Sequence, residues 1–316
     1  VGSEMCIRDR PNINSKPNYI FVNCCRKDPL ELNPNLIISK ENNFFDLGLE
    51  VLEELAENAV FLCGNEEIET ANENVEKFLI SGKYPSGNSS AHIYKICPIR
   101  KSKKTWTISW QDVIRIGKYI STKSYCFDKY VSVTGSACVE PKLLKTVSGA
   151  SLTELTAGNT NKESRLISGS ALYGTSGDSY TSYLTRYSDQ VTIISDERKA
   201  NLFNWLKLGE KDHSATNVFL SSITKPEKFD FDTNVNGGYR AIVPIGVFDE
   251  VNIFDIDPTL FLKSLAIGDL VALRELGIFD LIPEDMSVFS YVCPSKYDYV
   301  ALFKDCIDDI WKEENS

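Results

Sequence analysis

The segment from residue 130 to residue 158 constrains the fold of this chain more than any other, because it encodes a complete supersecondary unit. Valines alternate with serine and threonine at its start, as in a half-buried strand, and a turn containing glycine and proline follows. A second strand is predicted at residues 143–147. Ser151 then precedes Glu154 by three residues, the spacing of a capping box at a helix start. Strand, turn, strand and capped helix predict the core of a β-grasp.

Length, charge and cysteine usage limit the class of protein. At 316 residues the chain exceeds what one hydrophobic core usually fills, so more than one domain is expected. Its net charge of −10 disfavours binding to nucleic acid. No apolar run reaches the roughly 18 residues that cross a bilayer, so a membrane role would require docking. Nine scattered cysteines indicate reduced thiols in a cytoplasmic protein rather than a disulfide framework.

Strand-like and helix-like segments alternate between residues 19 and 122, as expected for a doubly wound α/β layer. Residues 19–23 form a continuous apolar run typical of a buried parallel strand. A helix with a broad apolar face is predicted over residues 44–56. The other predictions here are a strand at residues 59–63, a polar helix at 73–79, a strand at 92–97 and a helix at 111–120.

The predicted elements divide the chain into five parts. Residues 1–10 are interpreted as a non-native junction and are excluded from fold prediction. The predicted fold is α/β and α+β multidomain, because helical spacing with the capping residues Asp257 and Asp269 replaces the alternation toward the end of the chain. Its parts are a Rossmann-like α/β domain at residues 11–124, the β-grasp domain at 125–178, a mixed α/β segment at 179–256 and a C-terminal helical bundle at 257–316.

The sequence does not arrange its residues for redox or hydrolytic chemistry. After the first predicted strand, residues 23–29 contain no glycine, so the backbone lacks the close approach that a pyrophosphate needs. No two cysteines are separated by the two residues typical of zinc and iron–sulfur sites, and Cys293 is expected to be a structural thiol. His92 and His213 are the only histidines. We therefore predict no catalytic residue, no metal site and no complete active site.

The tract Asn236-Gly237-Gly238-Tyr239-Arg240 is the strongest candidate for a functional segment. Paired glycines free the backbone for positive φ, and Arg240 places a planar cation beside them. The same tract lies between two apolar runs, so it also fits a hairpin turn. The residues alone favour the turn over a ligand site.

Three blocks resemble, in order, the family of the A subunit of the bacterial Na+-translocating NADH:quinone reductase. The first is the β-grasp segment, which is similar to soluble-ligand-binding β-grasps and continues through Arg-Leu-Ile-Ser-Gly-Ser at residues 165–170. The second is Asn-Gly-Gly-Tyr-Arg-Ala-Ile-Val-Pro-Ile-Gly at residues 236–246. The third is Cys-Pro-Ser-Lys-Tyr-Asp-Tyr at residues 293–299. Hereafter these last two are the second and third blocks.

The resemblance implies a function for the whole assembly. A member would be a peripheral subunit of a six-subunit enzyme that oxidises NADH, reduces ubiquinone and exports Na+, on the cytoplasmic face of the bacterial inner membrane. The B subunit in the membrane would be its docking partner, and flavins and the iron–sulfur cluster would belong to partner subunits. Ubiquinone is the one ligand implied near this chain. The quinone or interface candidates are Asn236, Gly237, Gly238, Arg240, Lys296 and Tyr297.

The chain also departs from the family pattern. Members carry a biotinyl/lipoyl-like domain before the first matching position, so the sequence is expected to be a truncated fragment. Ser295 stands where the family has glycine, which predicts strain if that position has positive φ. The alternative to a complex subunit is a free-standing soluble β-grasp protein that binds a ligand without catalysis.

Overall fold

The computed structural model describes residues 15–98, 104–160, 163–176, 182–196, 208–210, 212–213, 218–227, 229, 231–232, 234–235 and 237–315. Its first region is a four-stranded, all-parallel sheet with the order β3-β2-β1-β4. The strands are β1 (Tyr19–Cys24), β2 (Ala59–Gly64), β3 (Glu76–Leu79) and β4 (Thr105–Ser109). The helices are α1 (Asn35–Ile38), α2 (Asn42–Leu55), α3 (Ser89–Ile96) and α4 (Trp110–Thr122).

Helices α2 and α4 pack against each other on one face of this sheet, as their apolar stripes predict. Two glycines allow the close approach. A Cβ atom on Gly48 would overlap the backbone carbonyl of Val113, and one on Gly117 would overlap the carbonyl of Phe44. Helix α4 begins where the Ser109 hydroxyl accepts a hydrogen bond from the Asp112 N–H at 3.3 Å. The helices predicted at residues 44–56 and 111–120 are confirmed.

Two predictions for this region are wrong. Residues 73–79, predicted as a polar helix, contain β3, an exposed edge strand that pairs in parallel with β2. Residues 92–97, predicted as a strand, lie in and just after α3. This short helix is covered on two sides, since Ile93 packs on the sheet and Tyr94 packs on the C-terminal region. Its apolar residues therefore do not fall on a single helical face, and the sequence pattern resembles that of a strand.

The second region is a mixed sheet with the order β6-β5-β8-β7, in which β5 and β8 are parallel and the outer pairs antiparallel. The elements are β5 (Asp128–Thr134), β6 (Lys142–Val147), α5 (Leu152–Leu155), β7 (Ser164–Ser168) and β8 (Gln190–Ser195). The Ser151 hydroxyl accepts from the Glu154 N–H at 3.5 Å, so the serine half of the predicted capping box forms. The predicted mixed α/β class is confirmed.

The C-terminal part is helical, as predicted. It contains α7 (Pro258–Ile267), α8 (Leu270–Glu275), α9 (Met286–Val292) and α10 (Tyr299–Asn315), with 3-10 turns at Ile278–Asp280 and Pro283–Asp285, after a short α6 (Ser221–Thr224). Asp257 and Asp269 cap α7 and α8 by accepting N–H bonds at 2.9 and 3.0 Å. A large apolar core fills this region and includes Ala91 of α3.

The C-terminal region is joined to the first region by buried polar contacts. The Asp285 carboxylate accepts hydrogen bonds from Asn88 Nδ2 at 2.7 Å, Ser90 Oγ at 2.9 Å and the Ile282 N–H at 2.9 Å. Burial raises the pKa of Asp285 to about 6. Tyr84 Oη donates to the Glu284 carbonyl at 2.7 Å. Because its donors come from both regions, the Asp285 carboxylate anchors the two regions to each other.

Candidate functional site

The second and third blocks meet in space, although 46 residues separate them in the chain. A Cβ atom on Gly237 would lie 3.0 Å from Lys296 Cε, so the bare glycine backbone faces the lysine stem. The rings of Tyr239 and Tyr297 are 5.6 Å apart between centroids. Of the predicted candidates, the structure thus brings Gly237 together with Lys296, while Tyr297 contacts Tyr239, which was not among them.

The remaining candidates are more loosely placed. Gly238 and Arg240 are exposed, and a Cβ atom on Gly238 would meet nothing within 4 Å. Asn236 lies outside the described residues. Tyr239 is 79% exposed, so this junction is an aromatic surface beside two cationic side chains rather than an enclosed pocket.

The backbone in the two blocks differs from the prediction in three respects. Gly238 does not have positive φ. The described residues flanking this tract form no strand, so the predicted hairpin turn is wrong. In the third block Lys296, not Ser295, has positive φ, at 60°. Ser295 is buried, and its hydroxyl donates to the Ala241 carbonyl at 2.8 Å, which fastens the third block to the second.

The thiol of Cys293 lies under the third block. It is buried and 3.4 Å from Tyr299 Oη, and the Tyr299 ring stacks on Tyr297 at 5.9 Å. Burial is the main cause that raises the pKa of the Tyr299 hydroxyl, and the hydrogen bond with Cys293 raises it further. This environment fits the predicted structural thiol, since the buried sulfur packs against the aromatic rings of the third block.

The loop after β1 occupies the place where a nucleotide phosphate lies in proteins built on parallel sheets. Four consecutive backbone N–H groups of this loop are bonded to side chains of the protein itself. Cys25 donates to Asn23 Oδ1 at 2.9 Å, Arg26 donates to Asn65 Oδ1 at 2.6 Å, and Lys27 and Asp28 both donate to Glu31 Oε2, at 2.6 and 3.0 Å. Glu31 Oε2 therefore accepts two N–H hydrogen bonds of the kind that a phosphate oxygen accepts in nucleotide-binding loops. Burial raises the pKa of Glu31 to about 8.

The second region closes over the same loop. Tyr173 Oη donates to Asp28 Oδ2 at 2.7 Å, and Lys27 Nζ lies 3.9 Å from Asp189. Asp189 is itself held by the buried Lys129, at 3.0 Å, and by Gln111 Nε2 of α4, at 2.9 Å. Burial lowers the pKa of Lys129, and the charge of Asp189 opposes that effect. The loop is thus packed between two regions, with the four N–H donors already bonded and Lys27 beside Asp189.

Three thiols and one imidazole are buried behind this loop. Cys25 Sγ lies 3.7 Å from His92 Nε2, with Cys24 and Cys63 close by. Burial raises the pKa of Cys25 and raises that of Cys63 to about 12, and it lowers the pKa of His92 to about 4. All four groups are therefore neutral near pH 7, the opposite of an activated thiolate–imidazolium pair. In the described part of the chain, no three His, Cys, Asp or Glu residues are grouped to hold a metal ion.

Two family profiles match this chain, one over the first sheet region and one over the second. The family profile described as NqrA second alpha/beta domain matches residues 6–125, and the profile described as NQRA C-terminal domain matches residues 130–178. The A subunit of the Na(+)-translocating NADH-quinone reductase of Saccharophagus degradans is 38% identical over 307 residues, which is 96% of this chain and 69% of that protein. This chain belongs to the NqrA family.

Other relatives give the same result. The NqrA proteins of Vibrio alginolyticus and Neisseria meningitidis are each 37% identical, over 306 and 307 residues, with the same shares of 96% and 69%. A solved NAD+-reducing NiFe-hydrogenase, in its air-oxidized state, aligns with a TM-score of 0.47 at 10% identity, covering 92% of this chain and 57% of that one. That similarity is too low to support an assignment. Membership of the NqrA family confirms the resemblance seen in the three blocks.

The sequence did not reveal two residues that this NqrA family member uses to hold its loop and its regions together. Glu31 follows the first strand, and the segment before it, residues 23–29, is distinguished mainly by its lack of glycine. Only the position of Glu31 near the strand end could have identified it. Asp285 lies almost two hundred residues from Asn88, so no local pattern connects them. Both act by accepting hydrogen bonds inside the fold.

Proposed function

We propose that this chain acts as the peripheral NqrA subunit of a Na+-translocating NADH:quinone oxidoreductase, contributing to NADH-driven ubiquinone reduction coupled to Na+ export. The observation that carries the proposal is 38% identity to a protein of that name over 96% of the chain. The presence of both NqrA profiles in the expected order supports it. The comparisons give no support to a free-standing ligand-binding protein.

We assign finer folds to the two sheets as part of this proposal. The order β3-β2-β1-β4, with helices on both faces and all strands parallel, supports a Rossmann-like doubly wound domain. The mixed sheet with a central parallel pair and a capped helix supports a β-grasp. Both would serve as scaffolding on which the protein presents its surfaces.

The loop after β1 does not fit a nucleotide or flavin phosphate, because its four N–H donors are bonded to Asn23, Asn65 and Glu31. Flavins and the iron–sulfur cluster therefore belong, in this proposal, to partner subunits. This chain's own residues keep the N–H donors of the loop occupied. NADH oxidation would take place elsewhere in the assembly.

The surface where the second and third blocks meet is our candidate for contact with ubiquinone. Tyr239 and Tyr297 offer aromatic faces, while Arg240 and Lys296 offer donors to carbonyl oxygen. A photoreactive ubiquinone analogue added to the purified complex should label this surface. Labelling should fall in the paired Tyr239→Ala and Tyr297→Ala variants and stay unchanged in Tyr183→Ala, an exposed tyrosine near the second sheet. Equal labelling of all variants would argue against this surface.

Docking on the membrane-embedded NqrB protein, the B subunit of the complex, completes the proposal. Within the described residues no helix is long and apolar enough to cross a bilayer, so attachment at the cytoplasmic face would occur through another subunit. Coexpression with NqrB and purification through a tag on NqrB in mild detergent tests this. We expect both chains in stoichiometric yield. Recovery of NqrB alone would refute the proposed role, while an unrelated tagged membrane protein controls for non-specific capture.

A further inference from the structure

The first sheet has two edges, and the sequence treats them differently. At one edge β3 carries the exposed charges of Glu76 and Lys77, which discourage pairing with a further strand. At the other edge β4 reads Thr-Trp-Thr-Ile-Ser, without a charged residue or proline. Among the described residues no strand pairs with the outer side of β4. Its outward N–H and C=O groups are therefore a row of donors and acceptors open to a partner.

A crevice of about 950 Å³ runs along this open edge and is lined by all five residues of β4. One wall is apolar, because Trp106 and Ile108 face the α2/α4 side. The other wall is polar, because Thr105, Thr107 and Ser109 face the opposite side of the sheet, toward the start of α3. The apolar wall is extended by Leu55, Ile116 and Tyr119, and the polar wall by Asn88, Ser89 and Ser90.

Two polar atoms at the start of β4 are buried without a hydrogen-bond partner among the described residues. These are the hydroxyl of Thr105, a residue only 4% exposed, and the indole Nε1 of Trp106. A buried polar group without a partner costs about 1 to 3 kcal/mol. Both residues line the crevice through their other atoms, so this edge of β4 carries unsatisfied polar groups close to the crevice.

The mouth of the crevice has the composition of a protein-binding surface. Tyr119, Tyr125 and Tyr187 line it and are 49%, 58% and 60% exposed, with the half-exposed Arg186 beside them. Tyrosine and arginine are enriched among the residues that dominate binding energy at interfaces.

We propose that this crevice receives an extended segment of another subunit of the complex, which adds to β4 as a fifth strand. The inference rests on the proposed function, because it needs a partner subunit. Main-chain hydrogen bonds to β4 would supply affinity, and the two unlike walls would select side chains of period two. The segment should therefore alternate apolar residues, facing Trp106 and Ile108, with small polar residues, facing Thr105 and Thr107. Over the five residues of β4 the contact spans about 16 Å.

The test uses the assembled complex with the photoreactive amino acid p-benzoylphenylalanine in place of Tyr119, an aromatic residue at the crevice. A second complex carries it in place of Leu79, which is 70% exposed on the opposite edge of the sheet. After irradiation, we expect Tyr119→p-benzoylphenylalanine to form an adduct with an alternating segment of another subunit, identified by mass spectrometry, and the Leu79 position to form none. An adduct within the same chain, no adduct, or equal adducts at both positions would overturn the inference.

A blocking substitution strengthens the test. Thr107 is exposed on the polar wall, so Thr107→Lys introduces an edge charge of the kind that already protects β3. We expect it to lower the Tyr119 adduct about tenfold or more, whereas Leu79→Lys leaves the yield unchanged. An undiminished adduct in Thr107→Lys would contradict strand addition. If the wild-type complex assembles and no adduct forms, this inference alone fails; if no complex assembles, the proposed function fails with it.

Discussion

Asp285 gives a quantitative test of how the first sheet and the C-terminal helices are held together. Its carboxylate is fully buried and accepts hydrogen bonds from Asn88, Ser90 and the Ile282 N–H. Asp285→Asn keeps the shape and an acceptor oxygen for the two side chains, but it removes the titrating group. Its amide nitrogen would face the Ile282 N–H, which subtracts a constant amount from the free energy of unfolding at every pH.

The magnitude follows from the pKa. Burial raises the pKa of Asp285 from its ordinary value of 3.8 to about 6. A carboxyl with a higher pKa in the folded state favours folding fully below the unfolded pKa, and that contribution is lost as the pH rises through the folded pKa. The complete loss corresponds to about 3 kcal/mol, of which about 2 kcal/mol falls between pH 4 and pH 7.

The assay is urea unfolding of wild type and Asp285→Asn at pH 4, 5.5 and 7, followed by circular dichroism. Groups other than Asp285 titrate alike in both proteins, so they cancel in the difference between the two free energies of unfolding. We expect this difference, variant minus wild type, to become more positive by about 2 kcal/mol from pH 4 to pH 7. The exposed Asp255→Asn should show no such change. A difference that stays constant with pH, or moves the other way, would refute the argument.

Three further variants probe other features. Gly117→Ala forces a Cβ atom into the Phe44 carbonyl, so chemical denaturation should show a free energy of unfolding lower by about 3 kcal/mol. The control Gly238→Ala should change that free energy by less than about 0.5 kcal/mol, and equal effects would contradict the α2/α4 packing. Ser295→Gly loses the bond to Ala241 and adds unfolded-state freedom, so the melting temperature should fall by an amount equivalent to about 2 kcal/mol; an unchanged melting temperature would show that this bond does not form. Burial raises the pKa of Glu31 to about 8, so the wild type loses stability as the pH rises from 4.5 toward 8. The stability of Glu31→Gln relative to wild type should therefore increase between pH 5 and pH 8, and a constant separation of the two denaturation midpoints would contradict this.

Long segments with a strong pattern were predictable from the sequence. The buried strand at residues 19–23, the α2 and α4 helices and the Asp257 and Asp269 caps follow from periodicity and local hydrogen bonding, which tertiary contacts here reinforce. The short elements were not predictable. β3 is an edge strand with little burial, so its four residues show no apolar pattern, and α3 is too short for its periodicity to exclude a strand.

The candidate site was also only partly predictable from the sequence. That the second and third blocks belong together followed from the family resemblance, but the contact of Gly237 with Lys296 depends on how the C-terminal helices pack. The strain predicted at Ser295 falls instead on Lys296, because a one-residue difference in turn geometry is set by the buried hydroxyl of Ser295. The crevice along β4 requires a sheet order that no local pattern specifies.

The bonded loop after β1 also determines what a nucleotide phosphate would require in order to bind at this position. Introducing glycines would free the backbone, yet the N–H groups of Lys27 and Asp28 would remain bonded to Glu31. Truncating Glu31 first would leave two donors unpaired, at a cost of about 1 to 3 kcal/mol each, until a phosphate arrived. Either change alone is therefore unfavourable, and a phosphate would reach these N–H donors only after simultaneous substitution in the loop and at Glu31.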